Sequence, residues 1–168
     1  EARVKCEECL AMVRRLHPEK HAIEGRILHQ MGQLASDQGL YQEALQLHIQ
    51  AAANYKDTKG PNSADYGQVL SMIGTVLGTM GLYSEAVERY EEAVEVKRKA
   101  FGDCHIEVAN TLRNIAVCRG QTGDTEDAAQ DLKQAHAIYT KVGATSENAQ
   151  QVAALVEEME KNVEWSRT

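Results

Sequence analysis

Proline, phenylalanine and tryptophan are scarce in this sequence of 168 residues. It contains two prolines, one phenylalanine and one tryptophan among abundant Ala, Glu, Gln, Leu and Val, and this composition favours helices over strands. Its apolar runs are shorter than the ~20 residues that a transmembrane helix needs, and no secretory signal pattern is present. We therefore expect an all-α fold that does not insert into a membrane.

Positive charge is also limited. The net charge is −7, from 18 Lys and Arg residues against 25 Asp and Glu residues. No run of Lys or Arg is long enough to follow a phosphate backbone. The sequence therefore argues against nucleic acid as a partner.

The residue patterns of catalytic and metal sites are missing as well. Four cysteines occur, and Cys6 and Cys9 have the two-residue gap of many zinc and redox sites. That pair lies within a predicted helix, and no second pair completes a ligand set. The six histidines are spread over different helices, and there is no Gly-rich phosphate loop, HExxH or GxSxG motif. We expect no enzyme activity, no cofactor and no metal.

What the sequence does contain is one short segment repeated three times. The copies begin at Gly39, Gly81 and Gly123, read GLYQEA, GLYSEA and GDTEDA, and follow one another at a spacing of 42 residues. A fixed period in this range is typical of a stacked repeat array. Each unit of such an array buries its apolar face only against its neighbours, which leaves an extended surface and no closed pocket. The period therefore favours a binding function.

Two helices are expected around each repeated glycine. The apolar spacing predicts first helices over residues 22–38, 64–80 and 106–122, and second helices over 41–57, 83–99 and 125–141. The glycines are expected to adopt the left-handed conformation that reverses the chain. Asn62, Ser63 and Asp103 are the expected side-chain caps of the following helices.

When the repeats are aligned in a 42-residue register, positions 42 residues apart form a column. One such column holds only small residues. Gly32, Gly74 and Ala116 occupy it, directly after an apolar stripe of the first helices. A small residue at such a place lets the partner helix approach closely. This column is therefore predicted to lie in the contact between the two helices of each repeat.

The register also predicts how the ends are organised. Residues 1–17 align with a second helix whose first helix is missing, so we expect a fragment of a longer protein. Glu157 and Glu158 replace core residues of the repeat, which suits a polar capping helix. The apolar stripe of that helix is Val152, Leu155, Val156, Met159 and Val163. The predicted segments are 1–17, three repeats over 18–59, 60–101 and 102–143, and a cap with its tail over 144–168.

With these features the chain resembles the tetratricopeptide repeat family, and its 42-residue period resembles the kinesin light chain type. Residues 102–109, GDCHIEVA, and 111–116, TLRNIA, look like that subfamily's linker and first helix. The resemblance implies a right-handed α-solenoid of antiparallel helix pairs, in a single domain over residues 1–168. Arg119 departs from the pattern, because an apolar or aromatic residue is expected in its column beside Ala35 and Leu77.

In proteins of this family the first helices line a concave groove, and four columns of the register point into it here. Arg and Asn side chains there suit an extended or acidic peptide. We expect a protein-binding scaffold or adaptor in the cytoplasm, within a cytoskeletal, motor or ciliary assembly. The residues expected to bind the peptide are Arg26, His29, Gln30, Gln33, Gln68, Ser71, Met72, Asn110, Arg113 and Asn114.

Two other functions stay open from the sequence. One is a self-associating structural scaffold, because an uncovered first segment would expose an apolar face and make a homo-oligomer. That face comprises Val4, Leu10, Met12, Val13 and Leu16. The other is a docking or regulatory arm of a larger enzyme or signalling protein, which a catalytic domain in the same polypeptide would indicate.

Overall fold

The computed structural model describes residues 2–17 and 19–165, and the side chains as far as Met159. Eight helices and no strand make up this part of the chain, which confirms the all-α prediction. The helices are α1 (Ala2–Leu16), α2 (Ala22–Asp37), α3 (Tyr41–Lys59), α4 (Ala64–Thr79), α5 (Tyr83–Phe101), α6 (Ile106–Thr122), α7 (Thr125–Lys141) and α8 (Glu147–Trp165). The helices α2 to α7 begin at the predicted residues and end within two residues of the predicted ends. Residues 1, 18 and 166–168, which bound three predicted segments, lie outside the described residues.

Consecutive helices pack as antiparallel hairpins. In the first hairpin, Gly25 near the start of α2 faces Asn54 near the end of α3, and Gly32 further along α2 faces His48 in the middle of α3. The pairs α4 with α5 and α6 with α7 form the same contact, and α3 with α4 and α5 with α6 join one hairpin to the next. One face of the array is therefore formed by α2, α4 and α6, and the other by α3, α5 and α7.

Two glycines make room for a ring of the partner helix. A Cβ on Gly32 would come within 2.6 Å of Cε1 of His48, and a Cβ on Gly74 would come within 2.8 Å of the ring of Tyr90. The third hairpin has alanine and leucine at the corresponding positions. The small column predicted from the sequence therefore lies in a helix contact, and it is glycine where the opposing side chain is a ring.

The turn glycines have the predicted conformation. Gly39, Gly81 and Gly123 have φ angles of 75°, 80° and 92°, in the left-handed region that a residue with a Cβ adopts only at a cost. They let each first helix end and the second begin within a few residues.

The caps of the first helices differ in part from the prediction. Ser63 caps α4 as expected, since its hydroxyl oxygen accepts a backbone N–H of the first turn. Asn62 and Asp103 do not cap, and α6 is capped by His105, whose Nδ1 accepts a backbone N–H at 3.2 Å. His21 caps α2 in the same way. The three cap residues lie 42 residues apart. Because histidine is not a preferred cap residue, the sequence did not indicate that His21 and His105 would cap their helices.

Arg119, the residue that departs from the repeat pattern, is paired with two acidic neighbours. Its guanidinium bonds Asp131 of α7 and, at 2.6 Å, Glu91 of α5. Burial raises the pKa of the Asp131 carboxyl, and the charge and hydrogen bond of Arg119 oppose that rise. The position that α4 fills with the apolar Leu77 is thus filled in α6 by an ion pair that joins three helices.

The two terminal helices are less buried than the others. None of the described residues of α1 is buried, and Met12 and Leu16 are 54% and 62% exposed. In α8, which packs against α7, Val152 and Val156 are buried. Leu155, expected in the same apolar stripe, is 46% exposed and Ala149 is buried in its stead, while Val163 lies outside the described side chains. Glu157 and Glu158 are exposed.

Candidate peptide-binding site

A depression of about 380 Å³ lies between α4 and α6 on the face formed by the first helices. We call it the α4–α6 depression. Two side chains of α5 reach it from below, so it is not lined by first helices alone. Its residues are Thr75, Gly78, Thr79, Tyr83, Tyr90, Arg113, Asn114, Val117, Cys118 and Gln121.

Tyr90 brings a hydroxyl group from the second helix into this depression. Its oxygen lies 2.9 Å from Oγ1 of Thr75. Burial raises the pKa of the Tyr90 phenol. The hydrogen bonds with Thr75 and Asn114 and the charge of Arg113 partly offset that rise. The phenol is therefore protonated at neutral pH, and it helps to fix Thr75 and Asn114 around the depression.

Arg113 is the cation of the depression, and it has no ion pair with any carboxylate among the described residues. It is half-buried, and its guanidinium donates to Oδ1 of Asn114 at 3.0 Å. Arg119, six residues further along the same helix, has two acidic partners. A partly buried guanidinium that lacks an anion is suited to bind one from outside, because charge-assisted hydrogen bonds strengthen as water is excluded.

Two other predicted residues lie in a different depression. Arg26 and Gln30 line a space of about 460 Å³ between α1 and α2, where Cys6, Cys9 and Met12 form the opposite wall. The structure therefore does not bring the predicted residues into one site. It divides the strongest candidates between this space and the α4–α6 depression.

Several predicted residues are already engaged within the protein. Ser71 is buried, and its hydroxyl donates to the carbonyl of Gly67 at 3.3 Å, so it is not available to a ligand. Oδ1 of Asn110 accepts the hydroxyl of Tyr139 at 2.6 Å. The amide of Gln33 donates to Asp37 in the next turn of α2 at 3.1 Å. Gln68 is exposed and Met72 is half-buried.

His29 forms a pair with His48 across the first hairpin. The two Nδ1 atoms are 3.4 Å apart, and the ring centroids are 5.1 Å apart. Burial lowers the pKa of both imidazoles, to about 4 for His48, where the neighbouring His29 lowers it further. Both rings are therefore neutral at pH 7, with one donating to the other, so His29 adds no positive charge to this face.

Tyr90 is one of the residues of the depression that sequence reasoning missed, since only Arg113 and Asn114 of its lining were predicted. Only first helices were expected to line a groove, whereas Tyr90 lies on α5 and crosses to the other side beside Gly74. A signal was present, because a tyrosine lies 42 residues after His48 and opposite a glycine column. The column of His48 and Tyr90, compared with the column of Gly32 and Gly74, predicts that this ring reaches the groove.

The described residues hold no group of three or more His, Cys, Asp or Glu side chains that could bind a metal ion. None of the described helices has the length and the apolar content to cross a membrane.

Comparison with known proteins supports the repeat fold. The family model described as tetratricopeptide repeat matches residues 24–99 and 65–141. No curated protein matches the chain. The chain is similar to a Podosopora anserina putative kinesin light chain with nearly identical TPR-like repeats, at 20% identity and a TM-score of 0.73, over 96% of this chain and 82% of that one.

Two further solved structures have the same fold. BtubC (BKLC) from P. vanneervenii is 14% identical with a TM-score of 0.69, over 95% of this chain and 72% of that one. A Rap protein complexed with competence and sporulation factor is 17% identical with a TM-score of 0.69, over 89% of this chain and 40% of that one. At these identities the likeness concerns the fold alone.

Proposed function

The chain belongs to the tetratricopeptide repeat family, and we propose that it is a non-catalytic scaffold that binds an acidic segment of a partner protein in the α4–α6 depression. Arg113 contacts a carboxylate of the partner in this proposal. Asn114 and the hydroxyl groups of Thr75 and Tyr90 supply neutral hydrogen bonds beside it. The exposed Val117 offers an apolar contact at the rim.

The observation that carries the proposal is the half-buried guanidinium of Arg113 without a carboxylate partner among the described residues. Buried charges in proteins are usually paired, because leaving water costs free energy that a counter-charge returns. A partner's Asp, Glu or terminal carboxylate would supply that charge and complete a charge-assisted bond. The net charge of the whole chain, −7, does not favour acidic ligands in general, so recognition depends on this local site.

Similar structures support a binding role for the fold. The Rap protein of the comparison is solved in a complex, and the similar structure from Podosopora anserina is described as a putative kinesin light chain. We propose on that basis that the protein acts in the cytoplasm, as an adaptor in a cytoskeletal or motor assembly. Its four free cysteines are in keeping with a reducing compartment. A docking arm of a larger enzyme would use the same depression.

The test is a titration of a fluorescein-labelled peptide of alternating glutamate and leucine, followed by anisotropy. A hydrogen bond to a charged group contributes about 1.5 to 3 kcal/mol, so Arg113→Glu should weaken binding by roughly ten- to a hundredfold. Arg15→Glu, at an exposed position of α1, makes the same change of net charge away from the site and should bind like the wild type. Equal affinity of the Arg113→Glu variant and the wild type would refute the proposal.

Self-association through α1 is a second candidate function. It is favoured by the exposure of Val4, Met12 and Leu16, each more than half exposed on one helix. An apolar face of this kind invites association, and we propose a second copy of the chain as its occupant. Light scattering over a range of concentrations tests it, since a constant monomer mass would exclude the idea, and Met12→Glu should abolish any dimer.

A further inference from the structure

The face formed by the second helices carries an apolar groove that the proposed peptide site does not use. This groove, of about 440 Å³, runs between α3 and α5 above α4. We call it the α3–α5 groove. Leu70, Ile73 and Leu77 of α4 form its floor and are 3% to 5% exposed. Ile49 of α3 stands at its wall and is 51% exposed.

The next repeat contains the same groove with different side chains. That groove lies between α5 and α7 and also measures about 440 Å³. Where the first groove has Ile49 and Leu77, the second has Glu91 and Arg119 at positions 42 residues later. Arg119 lies across the second groove, bonded to Glu91 on one side and to Asp131 on the other. The second groove is bridged by its own ion pairs, and the first is left open and apolar.

One end of the α3–α5 groove is positively charged. Lys56 lines the groove there, with its ammonium 5.9 Å from the centroid of the Tyr66 ring, and it has no ion pair with a carboxylate among the described residues. Arg89, on the opposite wall, pairs with Glu92 at 3.1 Å. Glu85, in the first turn of α5, lines the opposite end of the groove near Leu77. The unpaired positive charge is therefore confined to the Lys56 end, where it selects an acidic group in whatever fills the apolar part.

We propose that the α3–α5 groove binds an acidic amphipathic helix of a partner protein. Apolar side chains on one face of that helix, spaced three and four residues apart, fill the space above Leu70, Ile73 and Leu77. An aspartate or glutamate at the end of this stripe meets Lys56. The volume is in the range of about 300 to 1,000 Å³ that is usual for ligand pockets, which is enough for apolar anchors of this kind.

This surface is separate from the α4–α6 depression. Leu70, Ile73 and Leu77 lie on one side of α4, whereas Thr75 and Thr79 of the depression lie about half a turn away, at 100° per residue. A partner on the second-helix face therefore leaves Arg113 accessible. The protein would hold two partner segments at once, one on each side of the same repeat.

Methyl-group NMR of the isotopically labelled protein tests the proposal. The probe is a helical peptide with leucine at positions spaced three and four residues apart and glutamate at most other positions. The expected result is a shift of the methyl signals of Ile49, Ile73 and Leu77, with those of Val94 and Ile115 in the second groove unchanged. Equal shifts in both grooves, or shifts at Val117 of the α4–α6 depression alone, would overturn the proposal.

Two variants sharpen the test. Ile49→Glu reproduces the residue of the second groove at an exposed position, so the fold is expected to persist, as thermal unfolding would verify. We expect it to weaken probe binding at least tenfold, and Lys56→Glu to weaken it severalfold. Arg15→Glu, at an exposed position of α1, makes the same change of net charge as Lys56→Glu outside both sites, and it should bind this probe like the wild type. Unchanged affinity of the Ile49→Glu variant refutes the α3–α5 groove without affecting the proposal for Arg113.

Discussion

The imidazole of His48 lies against the backbone of Gly32, so closely that a Cβ at residue 32 would be 2.6 Å from Cε1 of the ring. Tyr90 and Gly74 form the same contact in the next repeat. Because a ring on the second helix requires a glycine on the first, each of these pairs fixes how near the two helices approach and how they are aligned.

Gly32→Ala is expected to destabilise the protein. Forcing an extra methyl group into a packed contact costs about 1 to 3 kcal/mol, and the better helix propensity of alanine returns up to about 1 kcal/mol. We therefore expect a net loss of about 1 kcal/mol in the free energy of unfolding, measured by urea denaturation. Gly120→Ala is the control, because nothing lies within 4 Å of a Cβ there, and it should stabilise the protein. A gain of stability in both variants would contradict the contact.

The loss at the equivalent position of the second repeat should be reversible by a second change. Gly74→Ala is expected to destabilise, since its Cβ would meet the ring of Tyr90. Adding Tyr90→Leu reproduces the pair Ala116 and Leu132 of the third repeat. The two changes together should cost less than the sum of the single changes, which a double-mutant cycle measures.

Stability should fall in mild acid because His48 is buried in its neutral form. Burial and the neighbouring His29 lower its pKa to about 4, from about 6.5 in the unfolded chain. Below pH 6.5 the unfolded chain takes up a proton that the folded protein does not, so stability decreases from about pH 6.5 to about pH 4. At 1.36 kcal/mol per unit this amounts to at most about 3 kcal/mol, measurable as a pH series of urea denaturations.

His48→Tyr tests the cause of that pH dependence. It keeps a ring beside Gly32, as Tyr90 does beside Gly74, and removes the ionisable imidazole. The variant should lose stability less steeply between pH 6.5 and pH 4. Part of the pH dependence should remain, because burial also lowers the pKa of His29. An equally steep profile in the variant would assign the pH dependence to other groups.

Arg119→Leu should destabilise the protein although it restores the apolar residue of the repeat pattern. It leaves the buried Asp131 without its cation, and breaking a buried pair costs about 3 to 5 kcal/mol. Because Arg119 remains 22% exposed, we expect a loss of roughly 2 to 3 kcal/mol in the free energy of unfolding, measured by thermal or urea denaturation. The double variant with Asp131→Leu should recover most of this loss. If the single variant is as stable as the wild type, the ion pair contributes nothing to the fold.

The cap at the start of α6 can be separated from the ring contact beside it. His105 accepts a backbone N–H and also stacks on Phe101, with ring centroids 4.4 Å apart. His105→Ser keeps a capping oxygen, as Ser63 provides in α4, whereas His105→Ala does not. The alanine variant should therefore be less stable than the serine variant by about 1 kcal/mol in the free energy of unfolding. Equal stabilities of the two variants would show that a capping hydrogen bond contributes nothing at this helix start.

The helices and turns followed from the sequence because their causes are local. Apolar spacing and the glycines at 39, 81 and 123 act within one or two turns of the chain, and the structure has the predicted helix starts and the left-handed turns. The ion pair of Arg119 was not foreseen. It depends on Glu91 and Asp131 from two other helices. Aligning the repeats compares residues at equivalent positions, and it does not show which residues of different helices come together.

The candidate site was predicted in part for the same reason. Arg113 and Asn114 lie together at a depression, as their column positions suggested. Ser71 shares its column with Arg113 but is buried, because its short side chain turns back to the carbonyl of Gly67. Column position gives the direction of a residue on its helix, but not the length of its side chain or the neighbours that cover it.

The two grooves of the second-helix face give the array an uneven response to salt. Added salt screens the exposed part of the Arg119, Glu91 and Asp131 ion pairs, while excluded salts such as sulfate strengthen the apolar contacts of Leu70, Ile73 and Leu77. Because a repeat array opens from its weakest interface, ionic strength should shift the place where unfolding begins toward the third repeat.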